Sequence, residues 1–260
     1  MSYKNLTVRG KTDGFGCQLN AKLSGLAFCY NHPNYRYIHT PFVSVSHGWR
    51  EETETLNEFI GIPDNRHGKR IHAVYRNMSQ VFADPNHFYN PKTLGHIRQY
   101  YWDAPKPNRS EDEIVVHIRR GDVQIARGGD RRRRHTANPW YNIAIPKLAK
   151  RYPDHYTITI HSEGEADEFQ SITAGWSQDL IDRVSWKLSE PYVRHQQFDL
   201  LAAFHDMVTA KVLLQSKSGL SYTAGLYCEG DVFFLSSRAK GQGIGLNHWK
   251  SAEEVGPRWF

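Results

Sequence analysis

The chain has 260 residues, room for one large domain or two small ones with ample core. Charged residues at 23% and aromatics at 13% exclude a disordered or low-complexity protein. A formal charge of +6 points to a negatively charged partner, and charge alone leaves nucleic acid, anionic lipid and phosphorylated small molecules open.

No run of about 18 apolar residues occurs, so no membrane span is expected, and MSYKNLTVRGKTDG lacks the apolar stretch of a signal peptide. Cys17, Cys29 and Cys228 are odd in number and form no Cys-x-x-Cys, which favours a reducing compartment. The expectation is a cytoplasmic or otherwise intracellular protein, or a soluble domain excised from a larger one.

The first predicted elements are a strand, a loop and a helix around TDGFGCQLNAKLSGLAF. Gly14 and Gly16 read as a tight turn, and Leu19, Leu23, Leu26 and Ala27 form the apolar stripe of a helix starting near Cys17. A Gly-rich loop feeding a helix start offers N–H groups to an anion, but many such turns hold nothing. An irregular stretch rich in His, Pro and Asn follows. DAPKPNRSEDE, residues 103–113, reads as a linker and divides the chain into residues 1–105 and 106–260.

Beyond it the alternation is cleaner. IVVHI is a strand buried on both faces, WYNIAIPKLAKR a helix disturbed by Pro146, YTITI a second strand, and residues 165–172 a helix. RVSW is a third strand, FDLLAAFHDMVTA a helix, KVLLQ a strand, residues 218–228 a helix and DVFFL a strand. Strand alternating with helix predicts an α/β fold with a parallel sheet, whose ligands bind at the carboxyl ends of strands.

HIRRGD stands at such an end. Alternation sends His117 and Arg119 to one face and Ile118 and Arg120 to the other, so one arginine can enter a crevice while the other packs, with Asp122 as a partner in reach. A guanidinium matches phosphate oxygens as a fixed fork and keeps its charge on burial. An Arg-Gly-Asp adhesion site would need an exposed loop tip, whereas this tripeptide abuts a buried strand. QSKSGLSYTAGLY places Ser216, Lys217, Ser218, Gly219, Leu220 and Ser221 where a strand passes into a helix, a junction that caps the helix and equally binds phosphate. The run GGDRRRRHT reads first as solvated surface, second as a lid over a diphosphate, and third as a nucleic-acid contact. No Asp-x-Asp pair occurs to hold a cation beside a diphosphate; Glu163-Gly164-Glu165 is the nearest acidic approximation, and no metal is expected.

Together these stretches resemble the fucosyltransferase superfamily of α1,2, α1,6 and protein-O enzymes. HIRRGD is similar to its His-x-Arg-Arg-x-Asp motif, DGFGCQLNAKLSGLAF to its Gly-rich loop and helix, and AFHDMVTAKVLLQSKSGLSYTAGL to its C-terminal block. The resemblance implies two Rossmann-like halves of the GT-B type, here with a reduced N-terminal half on the acceptor side and a nucleotide-sugar-binding half after it. It implies Arg119 on the donor's β-phosphate, supported by Arg120 and Asp122. His117 would lie near the nucleotide, Ser216, Ser218, Gly219, Leu220 and Ser221 at the diphosphate, and Gly14 and Gly16 along the cleft.

Cys17 stands where the family has Asn, and Ala203 where it has the Asp that reads guanine, with Asp199 one turn earlier. The α1,6 members carry a Glu beyond the arginine motif where Arg127 is nearest here, so the base stays unassigned among Asp13, Asp122, His161 and Glu163. The implied activity is metal-independent, inverting transfer of a sugar, foremost L-fucose from GDP-fucose, to a glycan hydroxyl. The alternatives are a UDP-sugar donor such as UDP-xylose and a non-catalytic nucleotide- or glycan-binding domain. Nucleic acid is not an expected partner.

Overall fold

Leu6, Thr7 and Val8 are buried at the end of the first strand, Lys4–Val8 (β1), which pairs in parallel with Tyr35–Tyr37 (β2) and Ala73–Tyr75 (β3). The sheet order is β2-β1-β3. The computed structural model describes residues 3–45, 52–108, 113–123, 134–189, 197–235 and 244–257. It divides into two units, Met1–Asn108 and Arg109–Phe260.

In the first unit the helix Phe15–Asn31 runs between β1 and β2, and nearly all its side chains are buried. Gly25 lets it lie close to the sheet, since a Cβ there would sit 2.6 Å from the Tyr37 ring and 2.9 Å from Val8. The helix Glu52–Ile60 precedes β3, and Ser79–Ala83, Pro85–Phe88 and Pro91–Asp103 close the unit. The last begins as its sequence dictates: Asn90 Oδ1 accepts from the Thr93 amide at 3.1 Å, and Pro91 fills the first turn. β2, β3 and the helix Pro91–Asp103 lie where the sequence reading expected irregular chain.

The second unit is a fully parallel sheet of Ile114–Ile118 (β4), Ile158–Glu163 (β5), Val184–Ser189 (β6), Val212–Leu214 (β7), Asp231–Phe234 (β8) and Lys250–Ser251 (β9), in the order β6-β5-β4-β7-β8-β9. Numbered within the unit, that is 3-2-1-4-5-6, the order of the Rossmann fold. Ile114, Val116, Ile118, Ile158 and Ile160 pack against Trp140, Tyr141, Ile145 and Leu148 of the helix Asn138–Ala149. The alternate residues face the other way, where Gln197–Thr209 and Gly219–Tyr227 pack together. The fold class is therefore α/β with two Rossmann-like halves, the first reduced, with three strands among the described residues. Among the described residues no helix is long and apolar enough to cross a membrane.

Candidate functional site

In a 3-2-1-4-5-6 sheet the chain leaves adjacent strands in opposite directions between the first and fourth, which opens a crevice at their carboxyl ends. Here those strands are β4 and β7, and both sequence motifs sit at their ends. Arg119 leaves β4 half-buried and its Nη1 donates to Ser218 Oγ at 3.2 Å. Ser218 caps the helix Gly219–Tyr227, its Oγ accepting from the Leu220 amide at 3.2 Å. The guanidinium is thereby fixed at a helix start, where the first backbone N–H groups carry the positive end of the helix dipole.

Beneath Arg119, His117 Nδ1 meets Ser216 Oγ at 2.8 Å. Burial, then Arg119 and His161, press the His117 ring down to about 3, so it is neutral at neutral pH. Ser221 Oγ accepts from the Ser216 amide at 3.2 Å and reaches back toward the carbonyls of Ser216 and Ser218, holding the turn shut. Of the three predicted serines, Ser216 and Ser221 therefore brace the loop and Ser218 is the one beside the arginine. Lys217 is buried nearby; half-buried His135 is pushed down by burial, then by Arg120 and Lys217. Arg119 thus stands beside a neutral imidazole.

Arg120 points to the opposite face, as strand alternation requires. It is 2% exposed, donates Nη1 to the Arg119 carbonyl at 2.9 Å and Nη2 to Asn138 Oδ1, and lies 5.8 and 5.9 Å from the Tyr141 and Phe169 ring centres. Burial lowers its pKa from the usual arginine value. It packs behind the strand. The side chains of Asp122 and Asp199 lie outside the described residues, as do Arg127 and residues 131–133 of the arginine run, so the lid reading and the Arg120–Asp122 pairing fall there too.

Gly121 turns the chain with φ +63°. A Cβ on it would lie 1.8 Å from Glu163 Oε2, so the exposed carboxylate of Glu163 rests directly over the turn that leaves the two arginines. His161 stands in register with His117 on β4 and Lys187 on β6. Its Nε2 meets Asp206 Oδ2 at 3.0 Å, and Lys187 Nζ donates to the same oxygen at 2.9 Å. Burial pushes the Asp206 carboxyl up, but its bonds to His161 and Lys187 outweigh this and hold it below the usual range. Asp206 was missed in sequence; its signal is a carboxylate beside Phe204, Met207 and Val208, whose side chains are all buried.

Asp13, Gly14 and Gly16 belong to the first unit. Asp13 is exposed, and its carbonyl accepts from Gln18 Nε2 at 2.7 Å. Gly14 has φ −61° and ψ 156° and Gly16 lies in the first helical turn, so neither takes a conformation that demands glycine. The expected tight turn is an ordinary extended entry into a helix that starts at Phe15.

Three solved structures resemble the chain in fold. Fucosyltransferase NodZ from Bradyrhizobium is 11% identical, with 87% of this chain and 93% of that one covered at a TM-score of 0.42. An Arabidopsis thaliana FUT1 mutant in complex with GDP is 10% identical, covering 93% and 72% at 0.47. POFUT1 in complex with GDP is 9% identical, covering 89% and 99% at 0.41. No family model and no curated protein matches the chain.

Proposed function

We propose that the protein is a glycosyltransferase whose second unit binds the diphosphate of a nucleotide-sugar donor at the carboxyl ends of β4 and β7. The observation that carries this reading is the Arg119–Ser218 bond of 3.2 Å at the switch point of a Rossmann-ordered sheet. Arg119 would fork onto the β-phosphate, with the Ser218 hydroxyl and the Gly219 and Leu220 amides completing the cradle. His117, Ser216 and Ser221 hold the arginine and the turn in place, and Arg120 supports the strand from behind.

The transfer is inverting. An acceptor hydroxyl oxygen attacks the anomeric carbon, the bond from that carbon to the diphosphate oxygen breaks, and its electron pair leaves with the nucleoside diphosphate. The departing charge falls on fixed cations and a helix dipole, which perform here the work a metal ion does elsewhere. The acceptor proton goes to a carboxylate; Glu163, exposed beside the arginine turn, is the candidate in this unit, with Asp122 and Asp13 as the others. His161 is buried against Asp206 and is the weaker choice. The first unit takes the glycan acceptor.

L-fucose from GDP-fucose is the leading donor. A UDP-sugar such as UDP-xylose is the second reading, favoured by Ala203 in place of a guanine-reading carboxylate and by Asp206 being tied to His161 and Lys187. A thermal-shift screen with GDP, UDP, CDP, ADP and single-stranded oligonucleotide, with and without EDTA, tests the proposal. A diphosphate at a hundred times its dissociation constant stabilises the fold by about 2.7 kcal/mol. Arg119→Lys keeps the charge but loses the fork, so the shift and sugar transfer should both fall at least tenfold in affinity and rate. Wild-type behaviour in that variant, or no diphosphate shift in the parent, would overturn the proposal.

A further inference from the structure

The first unit has a switch point of its own. In the order β2-β1-β3 the chain leaves β1 and β3 side by side, an arrangement held by the Arg9 amide donating to the Tyr75 carbonyl at 2.8 Å. Lys11 follows β1, His39 and Thr40 follow β2, and Arg76 follows β3. Lys22 reaches the same end from the helix Phe15–Asn31, since its ammonium donates to the Thr40 carbonyl and stands 4.8 Å from the Phe42 ring centre.

We propose that Lys11, Lys22, His39 and Arg76 form a second anion site, which receives the carboxylate or sulfate of an acidic saccharide. That this saccharide is the acceptor rests on the glycosyltransferase reading; that the site binds an anion does not.

Lys22 carries the argument. It is 1% exposed, yet among the described residues only a carbonyl and an aromatic face meet its ammonium. Burial, then Lys11 and Arg66, bring its pKa down to about 8. Such a charge is costly to hide unless something negative joins it. The acids nearby do not supply that: Asp64 is committed to Arg66 at 2.7 Å, and Asp13 faces Lys11, itself lowered by burial and by Arg76.

His39 is the second, independent sign. It is 3% exposed, its amide donates to Asn65 Oδ1 at 3.0 Å, and its ring Nδ1 is buried with no partner among the described residues. Burial and then Lys22 hold the ring neutral, with a pKa of about 3 against the opposing pull of Asp64. A neutral imidazole both donates and accepts, as a sugar hydroxyl does, whereas an imidazolium only donates. Ammonium groups and a neutral imidazole together fit an oxyanion carried on a saccharide. The donor's diphosphate already has a fork and a helix start in the second unit, so this cluster is left for another anion.

The test uses the full chain and compares methyl β-glucuronide with methyl β-glucoside by calorimetry, with and without saturating GDP. The glucuronide should bind at least tenfold more tightly. Half-exposed Lys11 and buried Lys22 are each changed to Met; both variants should lose tenfold or more in glucuronide affinity while the response to GDP stays as in the parent. The Lys11→Met variant keeps the result interpretable should Lys22→Met fail to fold. Equal binding of the two glycosides overturns the proposal. So does loss of the GDP response in Lys11→Met, which would assign the cluster to the donor. A glucuronide response without any diphosphate response upholds this site and sinks the glycosyltransferase reading instead.

Discussion

Single residues decide how the arginine turn is built. At Gly121 a side chain has no room, because its φ is +63° and Glu163 Oε2 occupies the place a Cβ would take. Gly121→Ala should cost about 1–3 kcal/mol from the left-handed backbone and the displaced carboxylate together. In urea denaturation, Gly121→Ala combined with Glu163→Ala should recover the steric part and leave the backbone part. Equal stability of parent and single variant would show that the turn relaxes. The separate fates of Arg119 and Arg120 were readable from strand alternation, which is strict in a buried strand. The glycines at 14 and 16 do not make the expected tight turn, because glycine before a helix carries no backbone demand by itself.

At the scale of elements, the second unit was legible because each of its central strands is buried on both faces and so reads as an apolar run. β2 and β3 have only three residues each, too few to show a period, and β9 has two. The helix Gln197–Thr209 was found, but not the job of Asp206 on it: a helix lying across a sheet meets partners set by register, and His161 and Lys187 come from two different strands. That carboxylate ties the helix to β5 and β6. Asp206→Ala leaves the buried His161 and the Lys187 ammonium without it, and Lys187 is 44% exposed, so water takes up part of the loss. The variant should be less stable by about 2–3 kcal/mol, below the range for a fully buried pair. Asp206→Asn, which keeps the shape and one hydrogen bond, should lose less. If chemical denaturation puts both variants within 0.5 kcal/mol or so of the parent, the cluster is not what fastens the helix.

Over the whole molecule, the two units repeat one device. Each holds a buried neutral histidine beside a cation near the carboxyl ends of its strands: His117 next to Arg119, and His39 next to Lys22. Both rings have folded pKa values of about 3, against about 6.5 for a free histidine. Between those limits the unfolded chain binds the proton and the folded chain refuses it, so stability is fully present above about pH 6.5 and declines as pH falls toward 3. Each histidine contributes a slope of about 1.4 kcal/mol per pH unit within the window, and the two together approach twice that. Asp206, with its depressed carboxyl pKa, loses its contribution only lower down, as pH falls below the ordinary carboxylate value of 3.8. Denaturant titrations from pH 7 to pH 4 should therefore show a steep loss equivalent to about two protons taken up on unfolding. His117→Asn and His39→Asn should each flatten the profile by about one proton. A flat profile in the parent would mean that the rings accept protons in place and that burial does not hold them neutral.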